Sequence, residues 1–157
     1  MWNWKLIYED KDILCYCDIE NVADAEEYVD GIFRSQFCYQ PLSNNVIIWV
    51  TFFYKSQQII KHYTDYLKIN GLYNEQYKNL SNTLCLVEFK ADENKYRVIP
   101  ALDYDNDGKE IGVSKIITDE GTSFIKGIKG DWSSVKSRDT NKAIKATYKF
   151  LFKRQED

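Results

Sequence analysis

The sequence predicts an α+β fold: an antiparallel meander β-sheet of about five to six strands, with a C-terminal helix and an additional helix packed on it. Three observations point there. Aromatics make up 15% of the chain, with 12 Tyr and 8 Phe, and aromatic side chains favour the pleated surface of strands. Short apolar runs come in pairs joined by brief polar turns. Two further stretches carry apolar residues at helical spacing. A length of 157 residues suits one domain, 1–157, with a core of its own, and only 2 Pro and 7 Gly argue against long flexible linkers.

The elements follow in order. WKLIY (4–8) and ILCYCDI (13–19) flank EDKD, hence a hairpin. ADAEEYVDGIFRSQF (23–37) is ambiguous: Tyr28, Val29, Ile32 and Phe33 repeat at helical spacing, while Gly31 weakens a helix. VIIWVTFFY (46–54) is apolar almost throughout, which marks a central strand, with Asn44-Asn45 as the turn before it. SQQIIKHYTDYLKING (56–71) is a helix with Ser56 as its cap, a stripe of Ile59, Ile60, Tyr63, Tyr66 and Leu67, and an Asn70-Gly71 stop. NEQYKNL (74–80) adds a helical turn. TLCLVEFK (83–90) and KYRVIPALDY (95–104) form a second hairpin through ADEN, and KEIGVSKII (109–117) is the next partner strand. After a loose stretch over 121–135, Ser137 or Asp139 caps a final helix with the stripe Ala143, Ile144, Thr147, Tyr148 and Leu151.

Net charge is -3 but unevenly spread. Residues 1–31 hold nine acidic side chains against Lys5 and Lys11, and residues 126–154 hold nine basic ones against Asp131 and Asp139. A basic patch for an anionic partner is one reading. Two solvated faces that attract each other is the simpler one. The helix KAIKATYKFLFKR mixes lysine with aromatics, yet a pI near 5.3 opposes the basic footprint of a nucleic-acid binder. No run of about 18 apolar residues spans a membrane. The chain opens on strand-like sequence, so either it stays in the cytoplasm or a signal peptide was removed and replaced by Met1. Cys15, Cys17, Cys38 and Cys85 permit two disulfides in three connectivities, but free buried thiols or one disulfide suit their spacing better than zinc.

DYDNDG (103–108) starts like a calcium loop, with Asp103, Asp105 and Asp107 at alternate positions and Gly108 at the sixth. Its twelfth position is Ser114 rather than Glu, and strands flank it instead of helices. Asp-Gly between strands signals a hairpin turn. The expectation is therefore a turn that attracts a cation weakly, with no metal and no cofactor site. His62 is the only histidine, with Asp65 three residues on to orient it. No P-loop, dinucleotide fingerprint or zinc-protease motif occurs.

Several stretches together resemble the surface-adhesin protein E family of bacterial envelope proteins. WKLIYEDKDILCYCD resembles that family's Trp-led first hairpin, and NNVIIWVTFFY its central strand. INGLYNEQYKNLSNTLCLVEFKADENKYRVIPALDYDNDGKEI is similar to its N-G-L…L-S…K-Y-R run and the Y-x-D-x-D-G-K turn after it. Trp132 in GDWSSV and the last helix resemble its closing segment. Residues 20–44 look like an insertion. The resemblance implies a sheet with helix on one face, an exported protein and a binding rather than catalytic task; some members adhere to host matrix proteins. It departs where members carry a cysteine before the K-Y-R strand and another in the last helix. Here Ala91 stands at the first position and the helix has none, so the familial disulfide is absent.

The expected function is a non-enzymatic exported binding or adhesion module of the bacterial cell envelope, periplasmic or surface-exposed. Its partner would be a protein or anionic glycan, met by exposed sheet aromatics and by Lys142, Lys145, Lys149 and Lys153. Edge strands would also permit a homodimer. The alternatives are a cytoplasmic partner-binding protein of inhibitor or immunity type, and a hydrolytic enzyme using His62.

Overall fold

A strand apolar on both faces is stable only where both faces are covered. VIIWVTFFY meets that condition in the computed structural model, which describes residues 2–19, 23–24 and 45–153. The strands are β1 (Trp4–Glu9), β2 (Ile13–Asp18), β3 (Ala23–Asp24), β4 (Val46–Tyr54), β5 (Leu80–Lys90), β6 (Lys95–Asp105), β7 (Glu110–Val113) and β8 (Ser133–Ser134). They form one antiparallel sheet in the order β1-β2-β4-β5-β6-β7, with β3 beside β4 and β8 beside β6. This is the open meander the sequence predicts, and β4 sits inside it. Of the stretch 20–44 only Ala23 and Asp24 are described, paired with Ile47 and Val46. The ambiguous segment 23–37 and Cys38 otherwise lie outside the described residues.

Helix α1 (Gln57–Ile69) follows the predicted signals. The Ser56 hydroxyl accepts from the Ile59 N–H, and Gly71 leaves the helix at a φ of +69°, the left-handed conformation glycine adopts freely. A five-residue 3₁₀ helix, Glu75–Asn79, supplies the expected extra turn. Helix α2 (Lys142–Lys153) begins later than predicted. Its cap is Asn141, whose Oδ1 accepts from the Ala143 N–H at 2.8 Å. The expected cap Ser137 instead accepts from the Asp139 N–H within the preceding turn. Any small oxygen-bearing side chain before an apolar stripe can cap, so spacing alone cannot choose among three.

The predicted strand over 109–117 is shorter, ending at Val113. The chain leaves the sheet because Ser114 and Ile116 turn into the interior. The Lys115 N–H goes to the Tyr63 hydroxyl at 2.7 Å and the Ile116 N–H to Ser114 Oγ at 3.2 Å, which replaces ladder bonds with side-chain acceptors. β6 tolerates Pro100 through a bulge: Leu84 faces Leu102 and Cys85 faces Pro100, leaving Ala101 as the extra residue.

Both helices cover one face of the sheet, here the inner one. Ile13, Ile48, Val50, Phe52, Val87 and Phe89 pack there against Tyr63 and Leu67 of α1 and Ile144 and Leu151 of α2. Each such side chain contributes roughly 1.5–3 kcal/mol when fully buried. A smaller cluster of Ile47, Trp49, Leu84, Leu86 and Ala101 lies on the opposite, outer face. There Glu88 is buried against Arg97, at 2.7 Å from Nη2, and accepts from Asn45 at 2.8 Å. Trp132 stacks over both Arg97 and Lys90.

Candidate functional site

Alternation along each strand sends one set of side chains to the helices and the other to the outer face. Strand register then lines the outer set into rows. One row runs Leu6, Tyr16, Thr51, Leu84, Leu102 and Val113 across six strands. The next runs Glu9, Leu14, Phe53, Asn82, Tyr104 and Glu110. At one side Trp2 stacks on Trp4, ring centres 5.1 Å apart and planes within 10°, with Trp49 edge-on to Trp2 at 5.9 Å. Tyr16 meets Phe53 edge-to-face at 5.6 Å. At the other side stands the turn with Asp105, Asn106 and Gly108. Together they bound a cleft of about 770 Å³, within the usual size of small-ligand sites.

Polar side chains of the cleft include Ser81, Asn82, Thr51, Asp105 and Asn106, beside the phenols of Tyr16 and Tyr104. Asn82 Nδ2 donates to Thr51 Oγ1 at 3.0 Å, and Thr51 in turn donates to the Thr83 carbonyl. Asp105 Oδ2 accepts from Gln76 at 2.9 Å, and its Oδ1 accepts the N–H groups of Asp107 and Lys109. The Gln76 amide, then the Lys109 N–H, hold its carboxyl below the ordinary range.

The three aspartates of DYDNDG do not converge. Asp107 is exposed, and Asp105 is bound up in the turn just described. Asp103 points the other way, into the inner core, where it is fully buried. Its Oδ2 accepts from Tyr63 at 2.6 Å and Tyr77 at 2.8 Å, and its Oδ1 from Thr83 at 2.6 Å. Tyr54 donates to the Thr83 hydroxyl at 2.5 Å, extending the network. Burial pushes the Asp103 carboxyl up, and the hydroxyl donors pull it part of the way back. Burial beside that carboxylate raises the Tyr63 phenol as well. Among the described residues no three His, Cys, Asp or Glu side chains are grouped to hold a metal. The turn itself is the expected hairpin: Asp105 N–H donates to the Lys109 carbonyl at 2.9 Å, and Gly108 takes a φ of +78°.

His62 is exposed on α1 and borders a second cavity of about 380 Å³ with Asp10, Asp12 and Ser56. Asp65, expected to orient it, pairs with Lys61 at 2.7 Å. Asp10 accepts the N–H groups of Asp12 and Ile13, and Ser56 caps α1, so both serve local structure.

Lys142 and Lys149 are exposed and Lys145 half-buried on α2, and no ion pair involves them among the described residues. The side chain of Lys153, which ends the helix, is outside the description. Because α2 packs on the inner face, these lysines lie across the sheet from the aromatic cleft. The sheet aromatics and the basic helix therefore form two surfaces rather than one. Cys15, Cys17 and Cys85 are buried and free, on the inner face. Cys17 approaches Thr147 Oγ1 at 3.6 Å, and burial pushes the Cys85 thiol up. No described helix is long and apolar enough to cross a membrane.

The cleft residues Trp2, Trp4, Tyr16, Phe53 and Tyr104 were not individually legible in the sequence. Their signal was the W-x-W of the opening residues and aromatics in the outward phase of the strands. No family model, curated protein or solved structure matches the chain. The resemblance to the surface-adhesin protein E family thus rests on the quoted motifs.

Proposed function

We propose that the chain is a non-enzymatic binding module whose ligand seat is the aromatic cleft on the outer face of the sheet. The observation that carries this reading is the stacked Trp2–Trp4 pair at one side of two cross-strand rows, lining one cleft with hydrogen-bonding side chains. Aromatic faces with a few placed polar groups are the ordinary composition of a ligand site. Asp105, the one carboxylate in the lining among the described residues, is engaged by three donors, which suits positioning better than proton transfer.

The four tryptophans provide the test. In a ¹H–¹⁵N spectrum, a library of small aromatic and aliphatic fragments should shift the indole N–H signals of Trp2, Trp4 and Trp49. Trp132, held between Lys90 and Arg97 outside the cleft, should stay still. Hits scattered over the surface, or none at all, would reject the cleft as a ligand seat.

Two settings for such a module remain as proposals. The motif resemblance supports the bacterial envelope. The free Cys15, Cys17 and Cys85 support a cytoplasmic partner-binding protein, since thiols stay reduced there. Protease shaving of intact native-host cells separates them: loss of the chain before lysis fits the envelope, and survival until lysis fits the cytoplasm.

A further inference from the structure

Resting on the cleft reading above, we propose that its ligand is an uncharged oligosaccharide, stacked on the Trp2–Trp4 pair and hydrogen-bonded by Ser81, Asn82, Asp105 and Asn106. The aromatic side comes first. Trp2 is 49% exposed and stacked parallel on Trp4, so it presents a flat indole face held from below and from the edge by Trp49. An aromatic face is electron-rich. The C–H groups on the less substituted face of a pyranose ring are slightly electropositive and match it in shape and sign.

The polar side narrows the class. The Ser81 hydroxyl and the Asn106 side-chain amide make no hydrogen bond within the described residues, and the Asn82 side chain retains its carbonyl oxygen and one N–H. A purely apolar ligand would leave these groups covered and unpaired, at a cost. A polyhydroxyl ligand both donates and accepts, and hydroxyl and amide side chains answer in kind. Asp105 Oδ2 takes a single described donor, Gln76, and so keeps a lone pair for a sugar hydroxyl.

Charge and geometry exclude the neighbours. Among the described residues the only charged side chain in the lining is Asp105, so an anionic glycan would meet repulsion with no described lining cation to offset it. A peptide adding as a strand needs a sheet edge with unpaired backbone groups, whereas this cleft lies on a sheet face floored by side chains from β2, β4 and β5.

The test titrates cellotriose, maltotriose and chitotriose, with trigalacturonate as the acidic counterpart, and reads the indole N–H signals. At least one neutral trisaccharide should shift Trp2 and Trp4 saturably while Trp132 stays fixed, and trigalacturonate should bind about tenfold or more weakly. Trp2→Ala and Asn106→Ala, both at exposed positions, should each weaken the neutral sugar by about tenfold, with the Trp132 signal showing that the fold is intact. Shifts from fragments but from none of the neutral sugars would overturn the sugar proposal and leave the cleft reading standing. Silence from both would remove the two together. Cleft signals that broaden with protein concentration alone would assign the face to a second copy of this chain and overturn the sugar ligand.

Discussion

Removing the Asp103 carboxylate should show what the buried network contributes. In Asp103→Ala, the hydroxyls of Tyr63, Tyr77 and Thr83 lose the acceptor they now reach at 2.6, 2.8 and 2.6 Å. A hydrogen bond to a charged group contributes roughly 1.5–3 kcal/mol. Relief of the carboxylate's own desolvation offsets part of the sum, and Tyr63 keeps the Lys115 N–H as a donor. The net loss works out at about 3–5 kcal/mol. At about 2–4 °C per kcal/mol for a chain of this size, Tm should fall by about 6–20 °C.

The pH dependence carries a second, independent signature. In the fold the Asp103 pKa is raised above the ordinary carboxylate value of 3.8, first by burial. Between that value and the raised one, the native state holds a proton the unfolded chain has released. Stability from this group is therefore greatest at or below the unfolded pKa and declines as pH rises through the folded one. Asp105 and Asp10, whose pKa values are lowered, act in the opposite sense. The wild-type curve thus mixes signs, but its difference from Asp103→Asn isolates this group. Urea unfolding at a series of pH values from about 4 to 8 measures both effects. An Asp103→Ala protein within about 0.5 kcal/mol of wild type, or an Asp103→Asn curve parallel to wild type, would refute the reasoning.

Further expectations concern backbone, cap and surface. Gly127→Ala should be much more damaging than Gly108→Ala. Both glycines have positive φ, but a Cβ at Gly127 would lie 2.5 Å from the Asp139 carbonyl while that at Gly108 meets nothing within 4 Å. Denaturation should give about 1–2 kcal/mol for Gly108 and a larger loss for Gly127. Asn141→Ala should lower stability by about 1 kcal/mol as a lost cap, with Ser137→Ala costing less; equal losses would mean α2 starts elsewhere. Reversing Lys142, Lys145 and Lys149 to Glu should move elution from a heparin column to lower salt, and unchanged elution would end the idea of a basic contact surface on α2.

Much of the architecture was legible because it is local. The alternation in ILCYCDI, the unbroken apolar run VIIWVTFFY and the Ser56-to-Gly71 frame of α1 each carry their own signal within a few residues, and each became the element expected. The Asp-Gly hairpin was equally plain, since its turn chemistry is contained in six residues. The final helix was legible as a stripe but not at its start, where Ser137, Asp139 and Asn141 are equally capable caps and packing chose Asn141.

What tertiary structure decided depends on cross-strand register. Asp103 and Asp105 look equivalent in DYDNDG, yet one meets three hydroxyls from α1, the 3₁₀ turn and β5 while the other closes the hairpin. The cleft joins Trp2, Tyr16, Phe53, Asn82 and Tyr104, residues far apart in the chain that become neighbours only when each strand settles beside the next. A shift of one residue in any strand would turn that strand's outward side chains into the core. Local periodicity determined which segments are strands and helices, whereas the register of their pairing placed the aromatic rows on the outer face and the lysines of α2 behind the sheet.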